Sequence, residues 1–112
     1  MERTVMKFGG SILSSKEDLQ RIADLVKKRR DKGEEICIVV SALKGVTDTL
    51  IEASESALKD RKAIDSLISN LRKKHLGLVM ELNGNTAGKN AVKTLKEKLD
   101  LLEKALYGIN YL

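Results

Sequence analysis

The chain has 112 residues, 42% hydrophobic and 33% charged, which gives enough apolar material for one core, leaves no room for a second domain of ordinary size and excludes a disordered chain. Its 21 basic and 16 acidic residues give a formal charge of +5. The two signs are interleaved along helical stretches, and one phenylalanine, two tyrosines and no tryptophan offer no stacking surface, so a nucleic-acid partner is not expected.

In chain order, Arg3 to Phe8 read as a first strand, and Lys7-Phe8-Gly9-Gly10-Ser11 closes it. Two glycines after a strand allow a tight turn with outward-facing amides, and Lys7 adds a mobile positive charge beside them. With the positive end of a following helix, such a place favours anions, so the stretch reads as a phosphate cradle. Gly-Gly after a strand also occurs as a plain turn, and the spacing is not that of a Walker A loop.

Ser14-Ser15 followed by Glu17 and Asp18 is the Ser-x-x-acid signature of a helix start. Leu19, Ile22, Ala23, Leu25 and Val26 recur at three-and-four spacing, so the helix runs to about Lys32 with one apolar face. Lys27 to Arg30 load its last turns with charge complementary to the helix dipole, and Gly33 ends it.

Ile36 to Val40 are five consecutive apolar residues, short and β-branched, which predicts a strand covered on both faces with Cys37 a buried, inert thiol. Strand, helix, strand implies a parallel pair joined by a right-handed crossover. The ends of both strands then lie at one edge of the sheet, about 5 Å apart if the strands are neighbours. Ligands in open α/β sheets bind at that edge, so Lys7 to Ser11 and Ser41 to Asp48 are expected to face one crevice.

From about Thr47 the pattern is helical. Thr47 or Asp48 caps a segment with Leu50, Ile51, Ala53, Ala57 and Leu58, and Asp60 or Asp65 opens another with Ile64, Leu67, Ile68 and Leu71. Asn83-Gly84-Asn85 is a break, and a last helix from about Thr86 to Leu106 carries Val92, Leu95, Leu99, Leu102 and Leu106 near heptad spacing. The two long helices are expected to form an antiparallel hairpin, with a coiled-coil dimer arm as the competing reading. His75 has no cysteine or histidine partner at metal-ligand spacing and reads as structural, and no metal site is expected. No apolar run approaches the roughly 20 residues that cross a bilayer and no signal-peptide core opens the chain, so a cytoplasmic protein without a membrane partner is expected.

The expectation is thus one α/β domain over residues 1–112, strand-helix-strand with the phosphate and substrate motifs over about 1–48 and helical over about 49–112. Two parallel strands do not make a stable sheet alone, so further strands must come from a longer polypeptide or from a partner chain.

Lys7-Phe8-Gly9-Gly10-Ser11 resembles the Lys-Phe-Gly-Gly-Thr/Ser signature of aspartate kinases. Ser41-Ala42-Leu43-Lys44-Gly45-Val46-Thr47-Asp48 is similar to their Ser-Ala-x-x-Gly-x-Thr-Asp/Asn motif, and Leu106-Tyr107-Gly108-Ile109 resembles the Leu-x-Gly-Ile after the family's helical insertion. The resemblance implies the N-terminal part of an amino-acid-kinase-like parallel sheet followed by a helical hairpin insertion. It implies transfer of the γ-phosphoryl of ATP, with Mg2+, to the side-chain carboxylate of L-aspartate, on the route to lysine, threonine and methionine. By the same resemblance Lys7 acts on the transferring phosphate as the catalytic cation, and Gly9, Gly10 and Ser11 hold the nucleotide's phosphate with it. Ser41 and Thr47 then stand on the aspartate side, with Thr47 hydrogen-bonding the amino acid, while Lys44 occupies a variable position with no assigned role.

The chain departs from the family in lacking the serine-glycine-glutamate substrate motif, the catalytic aspartate, the adenine-binding half and the regulatory domains. It therefore reads as a fragment that is inactive alone, with either a complementary kinase half or a second copy of itself as partner. The alternative is a non-catalytic helical α/β module that self-associates.

Overall fold

The computed structural model describes residues 2–83 and 88–112. The chain divides into two compact units, Met1–Thr47 and Asp48–Leu112.

The first unit is built on two parallel strands, β1 (Arg3–Phe8) and β2 (Glu35–Val40), joined through α1 (Lys16–Asp31). Arg3 pairs with Glu35, and the register runs without interruption to Phe8 opposite Val40. Side chains alternate along a strand, so Thr4, Met6 and Phe8 share a face with Ile36, Ile38 and Val40. That face is the one α1 covers: Phe8 lines one groove with Ile22 and Leu25 of α1, and Ile38 and Val40 line another with Leu19, Ile22 and Val26. The opposite face carries Val5, Cys37 and Val39, closed at one end by an Arg3–Glu35 ion pair of 2.9 Å.

α1 begins where its sequence asks it to. The Ser15 hydroxyl accepts the Asp18 amide at 3.1 Å while the Asp18 carboxylate accepts the Ser15 amide at 3.4 Å, a reciprocal cap. Burial would raise the Asp18 pKa, but the Arg21 guanidinium and the Ser15 donors outweigh it and hold the carboxyl below its ordinary value. At the other end Gly33 takes a left-handed φ of 92°, which only glycine adopts without strain.

The expected covering of β2 on both faces is not met. Ile38, Val39 and Val40 are 46%, 46% and 59% exposed, and Cys37 is exposed where a buried thiol was expected. Among the described residues β2 has β1 as its one neighbour and α1 on one face only, too little to enclose a strand apolar on both sides.

The second unit is helical: the body of α2 (Val46–Ala57), then α3 (Arg61–Asn83) and α4 (Gly88–Tyr111). Asp60, not Asp65, opens α3, since its carboxylate accepts the Lys62 amide at 2.9 Å. Thr47 and Asp48 lie inside the first turn of α2 instead of capping it, because the helix already starts at Val46. α3 and α4 pack together with Ile64, Leu67, Ile68, Leu71, Leu99 and Leu106 buried. The Tyr107 hydroxyl donates to Asp65 and Asn110 donates to the Ala57 carbonyl at 2.8 Å, so the end of α4 lies beside the start of α3 and the pair is antiparallel. Leu99 and Leu106 of α4 are thus buried within the chain while Leu101 is exposed, and α4 runs on past Leu106 to Tyr111. The break expected at Asn83-Gly84-Asn85 and the start expected at Thr86 fall on 84–87, outside the described residues. His75 is structural, its Nδ1–H donating to the Leu71 carbonyl one turn back at 2.7 Å. No described helix is long and apolar enough to cross a membrane.

Candidate functional site

The parallel register sets the site, because it brings the ends of both strands out at one edge with Phe8 abreast of Val40. Lys7 is exposed as the penultimate residue of β1, opposite Val39. Gly9 follows in extended conformation, and Gly10, Ser11 and Ile12 form a short 3-10 turn closed by Ile12 N–H to Gly9 O and Leu13 N–H to Gly10 O, both 3.2 Å. Those bonds begin with the Ile12 amide, so the turn leaves the Gly10 and Ser11 amides out of its own bonding.

The second motif is tied to the first by backbone. The Ser41 amide donates to the Phe8 carbonyl at 3.2 Å, extending the ladder by one step past β2, and the Lys44 amide donates to the Leu13 carbonyl at 2.9 Å. The Ser41 hydroxyl donates to the Ala42 carbonyl at 2.8 Å. It also stands 3.1 Å from where a β-carbon on Gly10 would lie. Gly45 takes a φ of 82°, and the chain then turns into α2 with Val46 buried and Thr47 exposed in its first turn.

Lys7, Gly9, Gly10, Ser11 and Ser41 therefore stand at the C-terminal edge of the sheet or in the loops leaving it, and Thr47 stands in the first turn of the helix that follows. A β-carbon on Gly10 would meet the Ser41 hydroxyl, Lys7 is one residue from the Phe8 carbonyl that Ser41 binds, and Thr47 follows the loop that Lys44 ties to Leu13.

Neither glycine of the turn has a positive φ. The side-chain-free position at Gly10 makes room for Ser41, and the space around Gly9 is open to 4 Å. α1 starts five residues after Ser11, and its first turn is capped by Ser15 and carries Glu17 and Asp18. The helix that starts directly from these loops is α2, announced by Gly45, whose signal in the sequence was a lone glycine just before a helical segment.

Among the described residues no three His, Cys, Asp or Glu side chains cluster as a metal site. The edge carries two amides outside the turn's own bonding, the hydroxyls of Ser11, Ser41 and Thr47, and Lys7, without carboxylates in the turn itself.

The model of the amino acid kinase family matches residues 2–110. Among curated proteins, the chain is 38% identical over 64 residues to an aspartate kinase of Pseudomonas fluorescens, covering 57% of this chain and 16% of that protein. It is 33% identical over 109 residues to the chloroplastic aspartokinase 2 of Arabidopsis thaliana, covering 95% and 19%. An aspartokinase of Pseudomonas aeruginosa is 32% identical over 71 residues, covering 62% and 17%. The chain thus spans less than a fifth of the length of each of these relatives.

Proposed function

The chain belongs to the amino acid kinase family, and from that premise we propose that it is the N-terminal part of an aspartate kinase, carrying the phosphate-cradle side of a site that phosphorylates the side-chain carboxylate of L-aspartate. The observation that carries this reading is the hydrogen bond from the Ser41 amide to the Phe8 carbonyl at 3.2 Å, which ties the two motifs of the family resemblance together at one sheet edge.

In this reading the Gly10 and Ser11 amides and the Lys7 ammonium hold the transferring phosphoryl group. The open space at Gly9 lets the phosphate approach the backbone. ATP would supply the phosphoryl group, and Mg2+, when bound with it, would supply neutralising charge for the phosphate oxygens. Phosphoryl transfer is mostly positioning and charge neutralisation, so a lysine and fixed amides are what this half has to offer. Ser41 and Thr47 stand on the aspartate side. Thr47 offers an exposed hydroxyl, whereas Ser41 has its proton committed to Ala42 and presents only lone pairs. The adenine pocket and the remaining substrate contacts come from other residues of the complete enzyme, which acts in the cytoplasm.

The test is complementation. Alone with ATP, Mg2+ and aspartate, the chain forms no aspartyl hydroxamate in a trapping assay. Added to the remaining part of an aspartate kinase it restores turnover, and Lys7→Ala abolishes the recovery. Recovery indifferent to Lys7→Ala would refute the assignment.

A further inference from the structure

Among the described residues of the first unit, the buried hydrophobic side chains are Phe8, Leu13 and Val46. No side chain of α1 or β2 is buried; the three bound the two loops, Phe8 before the first, Leu13 at its end and Val46 at the end of the second. Loops ordinarily run exposed over a surface, whereas these are pinned by buried side chains. Leu13 stands outside both motifs of the family resemblance and bonds to each of them. Its amide donates to the Gly10 carbonyl at 3.2 Å, closing the phosphate turn, and its carbonyl accepts the Lys44 amide at 2.9 Å.

We propose that Leu13 is a positioning residue for the aspartate side of the site: held by its buried side chain, its carbonyl fixes the loop from Ser41 to Val46, and with it Thr47, relative to the phosphate turn. The assignment rests on the kinase reading for what Thr47 binds. The two sides of this joint are unequal. Lys7 is carried by β1, and Gly9 and Gly10 by the strand end and the turn's own bonds, so they keep their place without Lys44. The second loop is tied to the first by Ser41 to Phe8 and Lys44 to Leu13, and the latter tie is the nearer to Thr47 along the chain. Between them runs a turn in which the Val46 amide donates to the Leu43 carbonyl at 3.0 Å, with Gly45 third at a φ of 82° and Lys44 second without a positive φ. That is a type II turn, whose own bond does not use the second residue's amide and whose second position accepts proline.

Lys44→Pro tests it, because proline suits this place in the turn and removes the amide that Leu13 accepts. Lys44→Ala is its control, removing the same side chain and keeping the amide. In the enzyme restored with the remaining part of an aspartate kinase, Lys44→Pro and Leu13→Ala each raise the KM for aspartate about tenfold or more, while the KM for ATP changes less than about twofold. The volume-conserving Leu13→Met, like Lys44→Ala, leaves both values near those of the unaltered chain. A residue needed only for folding would lower the amount of active enzyme and leave both KM values in place. Equal rises in the two KM values, no rise with Lys44→Pro, or an equal rise with Lys44→Ala overturns the proposal. Lys44→Pro, at an exposed position, carries the test should Leu13→Ala fail to fold. Where no form of the enzyme turns over, the kinase reading has failed, and amide exchange of the 15N-labelled chain decides the joint by itself. Leu13→Ala, or the milder Leu13→Val should the first not fold, then speeds exchange of the Lys44 amide severalfold more than that of the Ser41 amide. Equal or unchanged rates at the two amides overturn the joint.

Discussion

The hydroxyl of Ser41 lies 3.1 Å from the point where a β-carbon on Gly10 would stand, and its own hydrogen bond to the Ala42 carbonyl at 2.8 Å keeps it there. A β-carbon there would be tighter than an ordinary contact, and the Ser41 hydroxyl would have to give by a few tenths of an ångström. Gly10→Ala should cost about 1 to 2 kcal/mol, in the range of overpacked sites. In a Ser41→Ala background the same change should cost much less. A double-mutant cycle by urea denaturation measures the difference; additive costs would mean that the two residues do not press on each other.

The other glycines should separate by backbone. Gly45 is held at a φ of 82°, so Gly45→Ala is expected to lose about 1 to 2 kcal/mol through strain alone. Gly9 has an ordinary φ and nothing within 4 Å of a would-be β-carbon, so Gly9→Ala should leave the melting temperature nearly unchanged. If Gly9→Ala nevertheless weakens ATP binding, the open space there is used by the ligand.

Much of this was legible in the sequence because local rules and global packing agree. β1 occupies the expected Arg3–Phe8, the Ser15–Asp18 cap and Gly33 bound α1, and the apolar run at Ile36 marks β2. What was not legible depends on residues distant in sequence. The exposure of Cys37 follows from the number of neighbours β2 has, which its own composition cannot reveal. The side chain that a β-carbon on Gly10 would meet is 31 positions later, and α2 starts at Val46, directly after the positive φ of Gly45 and one residue before the hydroxyl that Thr47 offered.

Acid stability should depend on the start of α1. The Asp18 carboxyl is held below its ordinary value, so the folded state binds its proton less readily than the unfolded one. Its contribution is therefore complete above the ordinary carboxylate pKa and is lost as pH falls through the lower folded value. Asp18→Asn should flatten that limb of the stability curve, and Ser15→Ala should cost about 1 kcal/mol at neutral pH. An acid limb unchanged by Asp18→Asn would show that other carboxylates set it.

The helical unit should respond at the alkaline end. The hydrogen bond to Asp65, then burial and the nearby carboxylate charge, raise the Tyr107 pKa, and Arg61 over its ring at 5.1 Å opposes them. Tyr107 therefore contributes stability in full below the ordinary tyrosine pKa of about 10, and the contribution fades as pH rises through the higher folded value. Tyr107→Phe should remove that dependence in thermal melts between neutral and strongly alkaline pH. A retained dependence would assign it to Tyr111 or to the lysines.

The central claim is that the loops after β1 and β2 serve one phosphate group. Mn2+·ATP, added to the 15N-labelled chain, reports it through paramagnetic broadening of nearby amides. The account predicts that the resonances of Gly9, Gly10 and Ser11 and those from Ser41 to Thr47 fade together, and that Lys7→Ala removes both effects. Broadening confined to one of the two loops, or centred on the helical unit, would contradict it.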